Sequence, residues 1–159
     1  MTRYLLVAIA AVGLWSPVPV VRAQAGAFDV CALMSREEVM KITNRTDLSP
    51  GRPRQLPEGA AECRYAGGPP IGSVTIVAGK STKAKWDEFM KTLKDSGATL
   101  EAAPGVGAGA FFWDDNRLYV HSGAYEVAIS TSPTAGANAA RIRADEVAIA
   151  KAVLAKLKS

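Results

Sequence analysis

Histidine occurs once in the 159-residue chain, at His121, and cysteine twice, at Cys31 and Cys63. Any Ser-His-acid or Cys-His mechanism would therefore have to use His121. The neighbouring Ser122 would point to the opposite face of a strand, so the two do not form a direct pair. Strong zinc sites draw on several nitrogen or sulfur ligands, and there is no C-x-x-C spacing, so no catalytic set, metal site or cofactor is expected. Long apolar runs are also scarce. Residues 5–15 are uncharged and apolar, but Ser16 and Pro17 end the run well short of the roughly 20 residues that cross a bilayer. Nor is there a basic block with stacking aromatics. The formal charge of +4 is spread through "GRPR", "KSTKAK" and the C-terminal region with acids interleaved, which argues against a nucleic-acid partner.

The N-terminus carries an address. Arg3, the apolar run and "SPVPVVRAQA" form a secretory signal peptide over residues 1–25, with cleavage after Ala25 or, alternatively, after Ala23. Its removal takes Arg3 and Arg22, which halves the charge of +4. Residues 26–159 remain, enough for a single domain with its own core. The "FDV" before Cys31 differs from the small residues that precede a lipoprotein's acylated cysteine. A soluble periplasmic or extracellular product is expected, with no stable membrane span in its mature form. In an oxidising compartment the two cysteines pair by default.

Local signals predict helices. In "LMSREEVMKIT", Ser35 and Glu38 form a capping box, and Met34 and Val39 the accompanying hydrophobic staple; a short helix follows from residue 36 to about 43. "TNRTDLSPGRPRQLPEGAA" has no periodicity and reads as a long loop. After Ser81 or Thr82, Trp86, Phe89, Met90 and Leu93 recur at helical spacing, and Gly97 marks the stop. A last helix lies within residues 139–158, with Val147, Ala150, Leu154 and Leu157 as its apolar stripe. The acidic pairs Glu37-Glu38, Asp87-Glu88 and Asp114-Asp115 read as caps, solvated faces or a turn.

"ECRYA" and "SVTIVA" predict strands joined by the turn "GGPPIG". In "AFFWDDNRLYVHSGAYEVAIST", two-residue turns at Asp115-Asn116 and Gly123-Ala124 give a three-stranded meander. That register sets Phe111, Trp113, Leu118, Val120, Val127 and Ile129 on one face, and pairs Asp114 with Arg117 and His121 with Glu126. Phe112, Tyr119, His121, Glu126 and Ala128 fall on the other face. Phe112 and Tyr119 beside His121 and Glu126 make a mixed apolar and polar surface, the composition of a binding site; the alternative is that a helix covers the two aromatics.

"APGVGAGA" fits the G-x-G-x-x-G/A dinucleotide fingerprint at Gly105, Gly107 and Ala110. The fingerprint works by presenting a helix N-terminus to the pyrophosphate. Here the glycines lead into the aromatic strand "AFFW", so a close-packed approach to a strand is expected instead.

The order "DVCALMSREEVMKITN", "ECRYA", "GVGAGAFFW", "RLYVHSGAYEVAIS" and an Ala-rich final helix resembles a group of small exported bacterial proteins of unknown function, many of them lipoproteins, similar in fold to PsbP/Mog1-like domains. The resemblance implies an α+β fold, an antiparallel sheet of about five strands with helices packed on it, and supplies no catalytic residue. The expected function is a noncatalytic envelope domain that binds a small ligand or an envelope protein. The alternative is a secreted hydrolase using His121 with loop carboxylates.

Overall fold

The computed structural model describes residues 29–69, 71–107, 109–114, 117–133 and 137–158. The expected signal peptide over residues 1–25 lies outside the described residues. After Asp29, whose side chain caps α1 (Val30–Leu33), comes α2 (Arg36–Thr43). Ser35 Oγ accepts from the Glu38 amide and the Glu38 carboxylate accepts from the Ser35 amide, as the capping box requires. Met34 and Val39 are both fully buried. Asn44 ends α2 in the left-handed region at φ 50°.

The stretch expected to be a long loop contains β1 (Arg52–Gln55) and a 3-10 turn at Pro57–Gly59. Proline cannot donate to a ladder and is excluded from central strands. Pro53 is accommodated because β1 has a neighbour on one side only, and an edge strand can leave one side of its backbone unpaired. β2 (Ala61–Ala66) and β3 (Ile71–Lys80) form the expected hairpin, and α3 (Lys83–Asp95) follows, capped by Thr82. β4 (Leu100–Ala102), β5 (Gly109–Trp113), β6 (Arg117–Ser122), β7 (Tyr125–Pro133) and α4 (Ala139–Leu157) complete the chain. The sheet therefore has seven strands rather than about five. β1 and β4 are the additions, both short and both at its edges. The order is β1-β2-β3-β7-β6-β5-β4, with every neighbouring pair antiparallel.

One sheet face carries the main core. Cys63, Tyr65, Val74, Ile76, Leu118, Val120, Val127 and Ile129 are each at most 1% exposed and pack with residues of α1, α2 and α4. Each such side chain contributes on the order of 2 kcal/mol. The disulfide Cys31–Cys63 ties α1 to β2, and the buried Tyr65 hydroxyl donates to the Met34 carbonyl. Gly51 lies against this bridge: a Cβ there would stand 2.6 Å from Cys63 Sγ and 2.8 Å from the Tyr65 ring.

α4 buries Ile142, Ile149, Ala150, Val153 and Leu154, while Val147 and Leu157 sit at its margin, so the stripe is rotated from the expected one. The rotation brings Glu146 fully inside. Its Oε1 accepts from the amide (3.0 Å) and the hydroxyl (2.9 Å) of Thr131. Thr131 stands one residue beyond the last β6–β7 pair, Arg117 with Ser130. The helix carboxylate thus supplies an acceptor where the β6 ladder has run out.

Candidate functional site

The second sheet face is only half covered. α3 lies over the β5 and β6 side, where Trp86, Leu93 and Phe111 form a small cluster joined by Phe89, Trp113 and Tyr119. The face presented there differs from expectation. The β6–β7 hairpin turns at Gly123 and Ala124 as the sequence indicated, with His121 opposite Glu126 and Val120 opposite Val127. In the β5–β6 hairpin, however, Trp113 pairs with Arg117, Phe112 with Leu118 and Phe111 with Tyr119. Three residues connect the strands instead of two. That one-residue difference exchanges the β5 side chains between faces. It also removes the anticipated pairing of Asp114 with Arg117.

Phe112 is consequently separated from the other three predicted site residues. It joins the main core at 6% exposure, with the Arg143 guanidinium 4.8 Å over its ring. Tyr119, His121 and Glu126 do share the face opposite that core, by their alternation with Leu118, Val120 and Val127 along β6 and β7. His121 is buried beneath Trp86, whose ring stacks on it at 5.3 Å and 24°. His121 Nε2 has no hydrogen-bond partner among the described residues. Among the described residues no three His, Cys, Asp or Glu side chains gather as metal ligands.

Register aligns the half-covered face into rows that run across the strands. The first contains Arg52, Arg64, Thr75, Ser130, Arg117 and Trp113. The second contains Arg54, Glu62, Val77, Ala128, Tyr119 and Phe111. Phe111 and Tyr119 stack at 5.5 Å, and Phe89 from α3 tilts over both. Beyond α3 the floor is open. A hollow of about 230 Å³ lies among Val77, Phe89, Tyr119, Glu126 and Ala128. A second, of about 270 Å³, shares Val77, Tyr119 and Ala128 and extends to Glu62, Thr75, Ser130 and Arg117. A third, of about 390 Å³, continues past Phe89 and Glu126 to Lys85 and Glu58, which form an exposed ion pair at 2.5 Å. The Lys85 ammonium is held above its ordinary pKa, first by the hydrogen bond to Glu58 and then by that carboxylate's charge.

Sequence reasoning found Tyr119 and Glu126 but not Phe89, Val77, Thr75, Ser130 or the arginines. Phe89 was visible as part of an amphipathic stripe, whereas the rest are joined to the site only by the β3–β7 pairing. The glycine-rich stretch "APGVGAGA" runs from the end of β4 into the first residues of β5, with no helix after it. A Cβ on Gly107 would meet Val120 Cγ1 at 3.0 Å, so close packing accounts for that glycine. No family model, curated protein or solved structure matches the chain.

Proposed function

We propose that this is an exported, noncatalytic domain that binds a small ligand on the half of the sheet that α3 leaves open. One observation carries the reading: α3 covers the β5 and β6 side only, so Tyr119, Val77 and Ala128 floor two adjoining hollows with Phe89 as a side wall. Binding sites for small molecules combine an apolar floor with a few polar groups that fix orientation. Here Glu126, Thr75, Ser130 and Arg117 fill that second role. An exported location, periplasmic or extracellular, is compatible with the Cys31–Cys63 bridge and with the absence, among the described residues, of a helix long and apolar enough to cross a membrane. The group it resembles, small exported bacterial proteins with a PsbP/Mog1-like fold, is part of the same proposal.

The uncharged fluorophore N-phenyl-1-naphthylamine tests the reading. Its emission is expected to rise on binding the native protein, and Ala128→Trp, which fills the floor, is expected to abolish the rise without lowering the melting temperature. Tyr119→Ala serves as the second variant should the tryptophan disturb folding. A dye response unchanged in both variants, or no response at all, rules out the groove.

A further inference from the structure

The basic row beside the groove identifies the ligand's charge. Arg52 and Arg64 stand directly opposite each other on β1 and β2, and Arg117 lies in the same row on β6. All three are exposed. Like charges directly opposite across strands are destabilising, and the neighbouring row shows the usual remedy, with Arg54 opposite Glu62. The first row has no carboxylate. Among the described residues none of the three guanidiniums hydrogen-bonds or ion-pairs with an acid; Arg117 lies 5.7 Å over the Trp113 ring.

Between Arg64 and Arg117 stand Thr75 and Ser130, directly paired across β3 and β7. Three strand spacings separate Arg64 from Arg117, about 14 Å between their backbones. Two extended arginine side chains can close that gap from either side, over a floor bearing two hydroxyls. The hollow of about 270 Å³ opens at this point, with Glu62, which stands opposite Arg54, on its wall, and Val77, Ala128 and Tyr119 continue it toward Phe89.

We infer that the open sheet face binds a free amphiphilic anion, a carboxylate or phosphate on an aromatic or acyl body. The anionic head lies between Arg64 and Arg117 over Thr75 and Ser130, and the apolar body lies on Val77, Ala128 and Tyr119. This assignment rests on the groove being the ligand site. It adds the arginines, whose planar guanidinium fork pairs with two oxygens of a carboxylate or phosphate and which relieve their mutual repulsion by doing so.

The test compares 8-anilinonaphthalene-1-sulfonate with uncharged N-phenyl-1-naphthylamine, two dyes that differ chiefly in the anionic group. The native protein is expected to prefer the sulfonate, and dodecyl phosphate below its micellar concentration is expected to displace it. Arg64→Gln, outside the lining of the hollow, should weaken sulfonate binding about fivefold, the size of an exposed ion pair, and leave the uncharged dye unaffected, while Arg117→Gln, which lines the hollow, should weaken the sulfonate more than the uncharged dye. Both side chains are exposed, so melting temperatures should hold. Equal binding of the two dyes, with sulfonate binding untouched by the arginine variants but lost in Ala128→Trp, overturns the anion assignment and leaves the groove standing. Loss of neither dye in Ala128→Trp overturns both. Dodecyl phosphate that fails to compete, with protein binding only to phosphatidylglycerol vesicles, replaces the free anion with a membrane surface and overturns the assignment.

Discussion

Glu146 should make the protein more stable in mild acid than at neutral pH. Its side chain is fully buried, and one oxygen takes both Thr131 bonds while Oε2 has no partner among the described residues. Burial is the dominant cause that pushes its pKa from 4.5 up to about 7, against the Thr131 hydrogen bonds and the Arg143 charge, with Asp145 adding a smaller push in the same direction. In the unfolded chain the group releases its proton near 4.5, whereas in the folded chain it holds the proton to about 7. The folded state binds more protons between these values, so stability falls as pH rises through that window. The full difference corresponds to about 3 kcal/mol.

Glu146→Gln removes the titration and keeps an acceptor for Thr131, but buries an amide with unpaired donors at a cost of about 1–3 kcal/mol. The variant is therefore expected to be less stable than the parent at pH 5 and nearly equal to it at pH 8. Urea unfolding with the disulfide intact, repeated from pH 4.5 to 8, measures the difference. Comparing the two profiles cancels the opposing contributions of Glu38 and Asp47, whose pKa values are lowered by hydrogen bonds to Lys156 and Arg45 respectively. Asp145, whose pKa burial raises and Arg141 partly lowers, is coupled by charge to Glu146, so the difference between the profiles reports the pair with Glu146 as its buried member. Parallel profiles for parent and variant would refute the assignment of the pH dependence to Glu146.

Four further outcomes are expected. The double variant Cys31→Ala/Cys63→Ala, which opens a loop spanned by a sequence separation of 32, should lose about 3–4 kcal/mol in urea unfolding; no loss would mean the bridge does not constrain the unfolded chain. Gly51→Ala should destabilise by about 1–3 kcal/mol, because the added Cβ meets Cys63 Sγ at 2.6 Å and the rigid Tyr65 ring at 2.8 Å, and a melting curve that matches the parent's contradicts that packing. N-terminal sequencing of exported protein should return Gly26 or Gln24, and a start at Met1 or Thr2 removes the export argument. Shortening the connection between Trp113 and Arg117 by one residue should switch β5 to the other register, driving Phe111 and Trp113 toward α4 and Phe112 toward α3, at a repacking cost of about 1–3 kcal/mol; unchanged stability would show that the connection does not set the β5 register.

Elements whose signals are local were legible. The Ser35–Glu38 capping box, the Thr82 cap and the Gly123 turn each act within a few residues, and the chain carries them out. β1 was hidden because Pro53 penalises a central strand but not an edge. Glu146 was hidden by its chemistry. Ile142, Glu146, Ile149 and Val153 follow helical spacing toward the sheet, yet a carboxylate within an apolar stripe reads as a break until Thr131, which satisfies it, comes into view.

The register of β5 depends on a different balance. Hydrophobic alternation can choose between two registers only where one face is buried and the other solvated. "AFFW" offers consecutive aromatics, and β5 is covered on both faces, by the α4 side over Phe112 and by α3 over Phe111. Either register buries an aromatic on each side, so burial could not select one, and connection length decided. The candidate site inherits this dependence. Tyr119 and Glu126 follow from the β6–β7 hairpin alone, but Thr75 meets Ser130 and Val77 meets Ala128 only through the pairing of β3 with β7. That pairing spans α3 and three intervening strands in sequence. It places Arg64 and Arg117 in one row, on either side of Thr75 and Ser130, although nothing near either arginine in the sequence marks them as neighbours.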